Sequence, residues 1–408
     1  MKKENNPVRL FTRDFSIICT SMIFSRMVFM MQNSVIPLYL TDSLGAKKSV
    51  AGLIVAVASI SSIMMRPVAG GLVDSGRGKA VYIAGAIVYL FGVVATGYVG
   101  MLPLLFAVRF IYGLGQSAQG TSGSAIAIKL IPDSRMKEGV GYFGLTGTLA
   151  QAVGPPIALF VILRIGYSNQ FLSSGFLLVL ALVGGLIISV PKRESADESL
   201  GERPPDADES SLSQNESFRF WHRIIEKTAV ANALLCILFN ISLCAASIFI
   251  TIRANEIGVG NIGLFFTVQA ISLTVSRIIL NRYLKGKAER TFFFASLVAV
   301  ALCLLCIAFA STIAHFIIIA IAYGVFQGNA SVLFQTMIIM GAPPSRRGLA
   351  NSTYFLTFDA ATAIGAAVWG FVAELLGTRM VYVLASLLPI ATLFLLLLKE
   401  KKTKILVG

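Results

Sequence analysis

The sequence predicts an all-α membrane protein, with twelve transmembrane helices in two pseudo-twofold-related six-helix bundles and both termini cytoplasmic. Three observations predict it. Hydrophobic residues fill 56% of the 408 positions and charged ones only 13%, with a mean hydropathy of +0.79; a soluble domain carries roughly 25% charged residues. The apolar residues arrive in blocks of about 20, the length a helix needs to cross a hydrocarbon core. The second half of the chain also repeats the first at a fixed offset of 211 residues.

The blocks place spans near 15–40, 51–72, 80–100, 103–128, 139–162, 169–190, 229–252, 262–281, 291–311, 313–338, 349–376 and 379–398. Outer connections as short as 100–102 and 377–378 make neighbouring helices antiparallel. The N-terminal apolar stretch is too long for a secretory signal, and no small-residue cleavage site follows it, so it reads as the first span.

Net charge is +14, but its distribution argues against nucleic acid. Five basic residues (Lys47, Lys48, Arg164, Arg253, Arg379) fall outside and two (Arg26, Arg109) fall within spans, leaving 27 of 34 on the cytoplasmic side. That bias is a positive-inside signature and sets the orientation. A multi-pass protein of the cell membrane follows, bacterial by expectation.

Between the halves, 191–228 is rich in Glu, Asp, Ser and Pro and lacks apolar periodicity, the composition of a flexible linker. It ends in a short amphipathic stretch, Phe218–Lys227, which contains His222. The chain therefore divides into a bundle at 1–190, the linker, and a second bundle at 229–408 with a short basic tail. The offset pairs Arg66 with Arg277, Tyr112-Gly113 with Tyr323-Gly324, Gln116 with Gln327, and Gly154 with Gly365. Matches at Gly, Gln and Arg are not what two unrelated apolar helices produce by chance. A duplicated six-helix unit explains them, and transporter folds are commonly built that way.

Certain motifs stand against this background. The segment from Arg66 through Gly70 and Asp74 to Arg77 and Lys79, between the second and third spans, resembles the loop signature of the major facilitator superfamily (G-x-x-x-D-R-x-G-R-R). Gly70 is expected to let helices approach, Asp74 to cap or pair, and Arg77 and Lys79 to supply partners that separate as the halves rock. Ser75 departs from the signature, the spacing is one residue shorter, and in the second half Asn281 and Lys285 replace the Gly and Asp, so only Arg277 survives there. The run Arg109-Phe-Ile-Tyr112-Gly113-Leu-Gly115-Gln116 is similar to the family's R-x-x-x-G-x-G motif, whose Arg is associated with proton coupling; its repeat position holds Ala320. Gly154-Pro155-Pro156 looks like part of the antiporter motif, a helix-bend signal that leans toward export, although Ala150 and Ala158 stand where glycines are usual. The resemblance covers essentially the whole chain. It implies the superfamily's fold, a cell-membrane setting, a monomer, a small-molecule substrate and alternating access.

Candidate site residues follow from polar groups inside spans, which are costly and usually face a cavity or partner. Arg26, Asn33, Tyr112, Gln116, Gln119, Asn240, Tyr323 and Gln327 are candidates to line a substrate cavity. Arg109, Tyr112, Gln116 and Gln119 share one helical face by spacing; Arg109 either faces the cavity or snorkels to the outer interface. Asp359, an acidic residue near mid-membrane, and Arg109 are the proton-coupling candidates. Whether Arg26 and Asp359 touch stays open at this stage.

The five cysteines all lie in predicted spans, so no disulfide framework is expected. No metal cluster and no cofactor are expected either. No P-loop is present, which excludes a Walker-type ATPase. With two His (His222, His315) and no convincing acid/base pair, a membrane enzyme finds no support, and no large sensing domain supports a receptor. The leading expectation is proton-coupled efflux of small amphipathic molecules. The alternative is movement of an anionic metabolite or siderophore-like chelator on Arg26 and Arg109.

Overall fold

The computed structural model describes residues 10–189, 230–283, 287–343 and 347–407. The expected linker, its amphipathic stretch with His222, and Lys285 lie outside the described residues, as does the side chain of Asn281. Among the described residues the chain is helical throughout: α1 (Arg13–Asp42), α2 (Lys48–Leu72), α3 (Gly78–Thr96), α4 (Leu102–Leu130), α5 (Met136–Ile187), α6 (Val230–Ile248), α7 (Ile250–Glu256), α8 (Gly263–Tyr283), α9 (Lys287–Phe309), α10 (Ile313–Met340), α11 (Arg347–Leu376) and α12 (Thr378–Val407).

Local chemistry sets the ends. Thr12 opens α1 by accepting from the Phe15 N–H at 3.2 Å, and Thr312 opens α10 by accepting from His315 N–H at 3.4 Å. Each satisfies one of the orphan donors of a helix N-terminus. Between α2 and α3 the chain turns through Val73–Arg77, where Gly76 adopts φ 83°. A side chain is disfavoured there.

α5 runs for 52 residues, about 78 Å if it were straight. It instead breaks at Gly166 (φ 83°, ψ 175°) and folds back. Contacts with α1 reveal the reversal. Thr146 sits against Arg26 and Gly154 against Met27 and Met30, so this arm runs parallel to α1. Ser174 meets Gln32 and Gly184 meets Ser21, so the arm at 167–187 runs antiparallel. The expected bend at Pro155-Pro156 leaves the helix assignment uninterrupted; the break falls ten residues later, where glycine permits a left-handed backbone.

Eight helical runs among the described residues are long and apolar enough to cross a membrane. Two of them, Lys48–Thr96 and Glu138–Ile187, are 49 and 50 residues long and contain Gly76 and Gly166. Twelve crossings require that both be divided at those glycines and that α4 and α8 also cross. One end differs from expectation: α12 continues to Val407, well past the predicted limit at 398. The tail is rich in Lys, a good helix former, so the helix need not stop where apolarity does.

Within the first half α1 packs on α5, and α4 on α3 and α2; within the second, α8 packs on α10, α9 on α12, and α6 on α11 and α12. The halves meet along two seams, α2 against α11 and α5 against α8. Small residues allow the approach. A Cβ on Gly52 would stand 2.1 Å from the Ala366 carbonyl oxygen, and one on Gly263 would stand 2.7 Å from Pro156 Cα.

Candidate functional site

Arg66 and Asp359 meet on the first seam. Arg66 lies near the C-terminal end of α2, and its Nε donates to Asp359 Oδ2 of α11. Ser62, one turn earlier, donates to the same oxygen at 3.3 Å and to Gln116 Oε1 of α4 at 3.4 Å. A polar chain thus joins α11, α2 and α4 across the interface. On the other side of α11, Thr357 meets Asn240 Nδ2 at 3.4 Å, and Asn240 also contacts Cys236 Sγ at 3.3 Å. One bond between the halves therefore runs through a carboxylate held by one guanidinium and one hydroxyl.

The other coupling candidate lies elsewhere. Arg109 is 1% exposed, so it does not snorkel to the interface. Its guanidinium stacks on Tyr112 at 3.7 Å from the ring centroid, and Tyr112 packs edge-on to Tyr89 of α3. Its Nε and Nη1 find no hydrogen-bond partner among the described residues. The face expected from spacing therefore divides: Arg109 and Tyr112 turn to α3, Gln116 to α2, and Gln119 to α1, where it accepts from Ser25 at 2.8 Å. Arg109 and Asp359 share no contact.

Arg26 does not meet Asp359 either. Its Nη1 donates to Thr146 Oγ1 at 2.7 Å and to the Phe143 carbonyl at 3.5 Å, and its guanidinium lies over the Phe143 ring. Asn33 is half-buried on α1. Tyr323 is buried beside Phe265, and Gln327 donates to Ser331 at 3.4 Å.

The loop motif is built differently from expectation. A Cβ on Gly70 would meet nothing within 4 Å, so no helix approaches there; Gly76 is the position that needs glycine. Asp74 and Arg77 are exposed, and neither enters an ion pair among the described residues. Lys79 donates to the carbonyls of Leu186 and Ile188 at 2.9 and 2.7 Å. It caps the C-terminal end of α5 inside its own half, where a cation suits the exposed carbonyls. Arg277 on α8 is exposed and enters no ion pair among the described residues. Gly154 lies against Met27 of α1, and Pro156 against Gly263 across the second seam.

Sequence reasoning missed the outer end of the interface. Lys48 pairs with Glu256, whose second oxygen accepts from Thr378, and the Lys48 N–H donates to Glu374 at 2.8 Å. Asn255 donates to Asp42 at 2.9 Å. The available signal was that Lys47, Lys48 and Arg253 break the positive-inside bias. A groove of about 510 Å³ between α8 and α10 is lined almost wholly by Val and Ile. Its polar lining is Ser272 and Ser276, the latter donating to the Leu273 carbonyl of its own helix, and exposed Ile271 and Ile279 mark it as lipid-facing.

A bundle of this kind, with paired halves, polar seams and long apolar helices, defines a multi-pass membrane transporter. The chain belongs to the Major Facilitator Superfamily, whose sequence model matches residues 18–254 and 228–406. It is 23% identical over 390 residues to the Staphylopine export protein of Staphylococcus aureus, covering 94% of each chain. It is 26% identical over 162 residues to the uncharacterized MFS-type transporter YhhS of Escherichia coli, covering 38% of this chain and 40% of that one. The crystal structure of the nucleoside transporter NupG matches with a TM-score of 0.71 at 15% identity, covering 94% of this chain and 98% of that one. That likeness extends to the fold.

Proposed function

We propose that this protein is a proton-coupled exporter of a small organic molecule, working by alternating access through twelve crossings. The observation that carries the reading is the Arg66–Asp359 pair, a titratable bond between the two halves at one of their two seams. Protonation of Asp359 frees Arg66 and loosens the α2–α11 seam; deprotonation restores it. Proton coupling needs such a bond, because a proton can bias which end of the interface opens only if it binds one state better than the other. The outer contacts of Lys48, Glu256, Asp42 and Asn255 serve as the opposing gate. Export, rather than uptake, is supported by the full-length likeness to an exporter. Neither cofactor nor metal enters this cycle, and no catalytic step is assigned.

The test is transport in everted membrane vesicles with an imposed pH gradient, screened over drug-like cations, chelators and organic acids. The reading expects accumulation of at least one solute that collapses with the gradient. Accumulation indifferent to the gradient would refute proton coupling, and uptake only in right-side-out vesicles would refute export.

A further inference from the structure

We infer that the exported solute is an organic anion, and that Arg26 and Arg277 hold its acidic groups from opposite halves, on either side of α5 near residues 142–148. The inference rests on the exporter reading and names its substrate class.

The argument begins with uncompensated charge. Ion pairs among the described residues are Lys48–Glu256, Arg66–Asp359 and Arg135–Glu138. Arg26 and Arg277 enter none of them. Every group that Arg26 touches is neutral: the Thr146 hydroxyl, the Phe143 carbonyl and the Phe143 ring. Its repeat position holds Ile237, so the six-helix unit does not need a charge there. Gly147 keeps the space around the guanidinium clear, since a Cβ would stand 3.3 Å from Arg26 Nη1.

Arg277 is the repeat of Arg66. Arg66 has Asp359, but the repeat of Asp359 is Thr148, so the second seam keeps the cation and lacks the carboxylate. The side chain is exposed, and it continues the face of Phe266, Ala270 and Leu273, all buried, at spacings of eleven, seven and four residues. That spacing carries Arg277 on the inward side of α8.

The two arginines sit at one depth. Gly263 meets Pro156 and the Thr267 hydroxyl donates to the Ala152 carbonyl at 2.7 Å, which fixes an antiparallel register for α8 and α5. Ten residues beyond Thr267, that register brings Arg277 level with Tyr142. Helical side chains lean toward their own N-terminus, here back toward Thr146. Arg26 touches residues 143 and 146 from the α1 side.

An intramembrane guanidinium without a counter-ion is costly. Two at one depth, one on each half, set a positive field beside the α5–α8 seam. A carboxylate or phosphate answers it with charge-assisted, two-pronged hydrogen bonds. A neutral amphiphile would leave both charges unanswered. Because each arginine belongs to a different half, the bound anion also bridges the halves, tying occupancy to their motion.

The test uses the full-length protein in nanodiscs of phosphatidylcholine alone, with citrate and inorganic phosphate as probes and trimethyl citrate as the neutral control. Thermal unfolding reports binding. Citrate should raise Tm and trimethyl citrate should not. Arg277→Gln and Arg26→Gln should each weaken apparent citrate affinity about tenfold, and Arg277→Lys should retain part of it. The unliganded Tm of each variant guards against misfolding. Absence of any shift with both probes, or a shift that both Gln variants leave intact, overturns the inference. So does loss of citrate binding when phosphatidylglycerol is added, because the site would then hold a lipid headgroup. Gradient-driven efflux of neutral solutes alone would overturn the anion assignment while sparing the exporter reading. Citrate binding without any gradient-driven efflux would support the site and refute the exporter reading.

Discussion

Arg66 and Asp359 pair across the α2–α11 seam, while their repeats, Arg277 and Thr148, belong to the helices of the α5–α8 seam and form no ion pair among the described residues. The two seams are therefore unequal: among the described residues one carries an ion pair between the halves, and the other carries a cation that enters none.

Charge exchange tests the pair itself. Arg66→Asp and Asp359→Arg should each abolish gradient-driven transport, because each places like charges in contact. The double variant should recover a measurable part of it, since the bond re-forms with its polarity reversed. Vesicle efflux rates read both effects. Two inactive single variants and an equally inactive double would argue that identity at each position matters more than the bond.

Backbone conformation gives a sharp contrast within one loop. Gly76 holds φ 83°, so Gly76→Ala should destabilise the detergent-solubilised protein by about 1–2 kcal/mol. Gly70→Ala, which meets open space, should change stability by no more than about 0.5 kcal/mol. Paired thermal melts check this, and equal losses would contradict the turn geometry.

Helix approach at the first seam has no room for a side chain. Gly52→Ala would press a methyl into the Ala366 carbonyl, and overpacking of this kind costs about 1–3 kcal/mol. Gly52 and Gly370 meet one turn from Lys48, at the outer end of the seam, so the strain should weaken closure there. Labelling of a cysteine introduced at half-buried Leu44, at the same end, by a membrane-impermeant maleimide should therefore speed up in this variant. Unchanged labelling would mean that the seam yields elsewhere.

The polar outer contacts are half-exposed and should be individually weak. Lys48→Ala alone should alter stability by less than about 1 kcal/mol. Combined with Asn255→Ala it should increase outer labelling further, because the two contacts hold the same end. A large stability loss from Lys48→Ala alone would show that it does more than latch.

The all-helical membrane fold was legible because it rests on composition summed over many residues. Pairings were not. Arg66 and Asp359 were both singled out, but they lie 293 residues apart, and their contact depends on how α2 and α11 slide against each other at Gly52 and Gly370. The motif resemblance drew Arg77 and Lys79 toward the interface, whereas a lysine near free helix carbonyls had a nearer partner in Leu186 and Ile188. The spacing of Arg109, Tyr112, Gln116 and Gln119 was read as one face. Three neighbouring helices share that arc, and each residue turns to a different one. Asp42, Asn255 and Glu256 were passed over because charged residues at span ends are ordinary until the fold shows which ones meet.

The central claim is that Asp359 couples proton movement to the opening of the halves. The most direct measurement compares wild type and Asp359→Asn in proteoliposomes, for the solute found by the vesicle screen, in two modes. Counterflow exchange asks only for binding and reorientation, while net efflux against a gradient asks also for a titrating carboxyl. The account predicts that Asp359→Asn keeps counterflow and loses gradient-driven efflux together with the accompanying proton flux. Gradient-driven efflux at the wild-type rate in Asp359→Asn would contradict it.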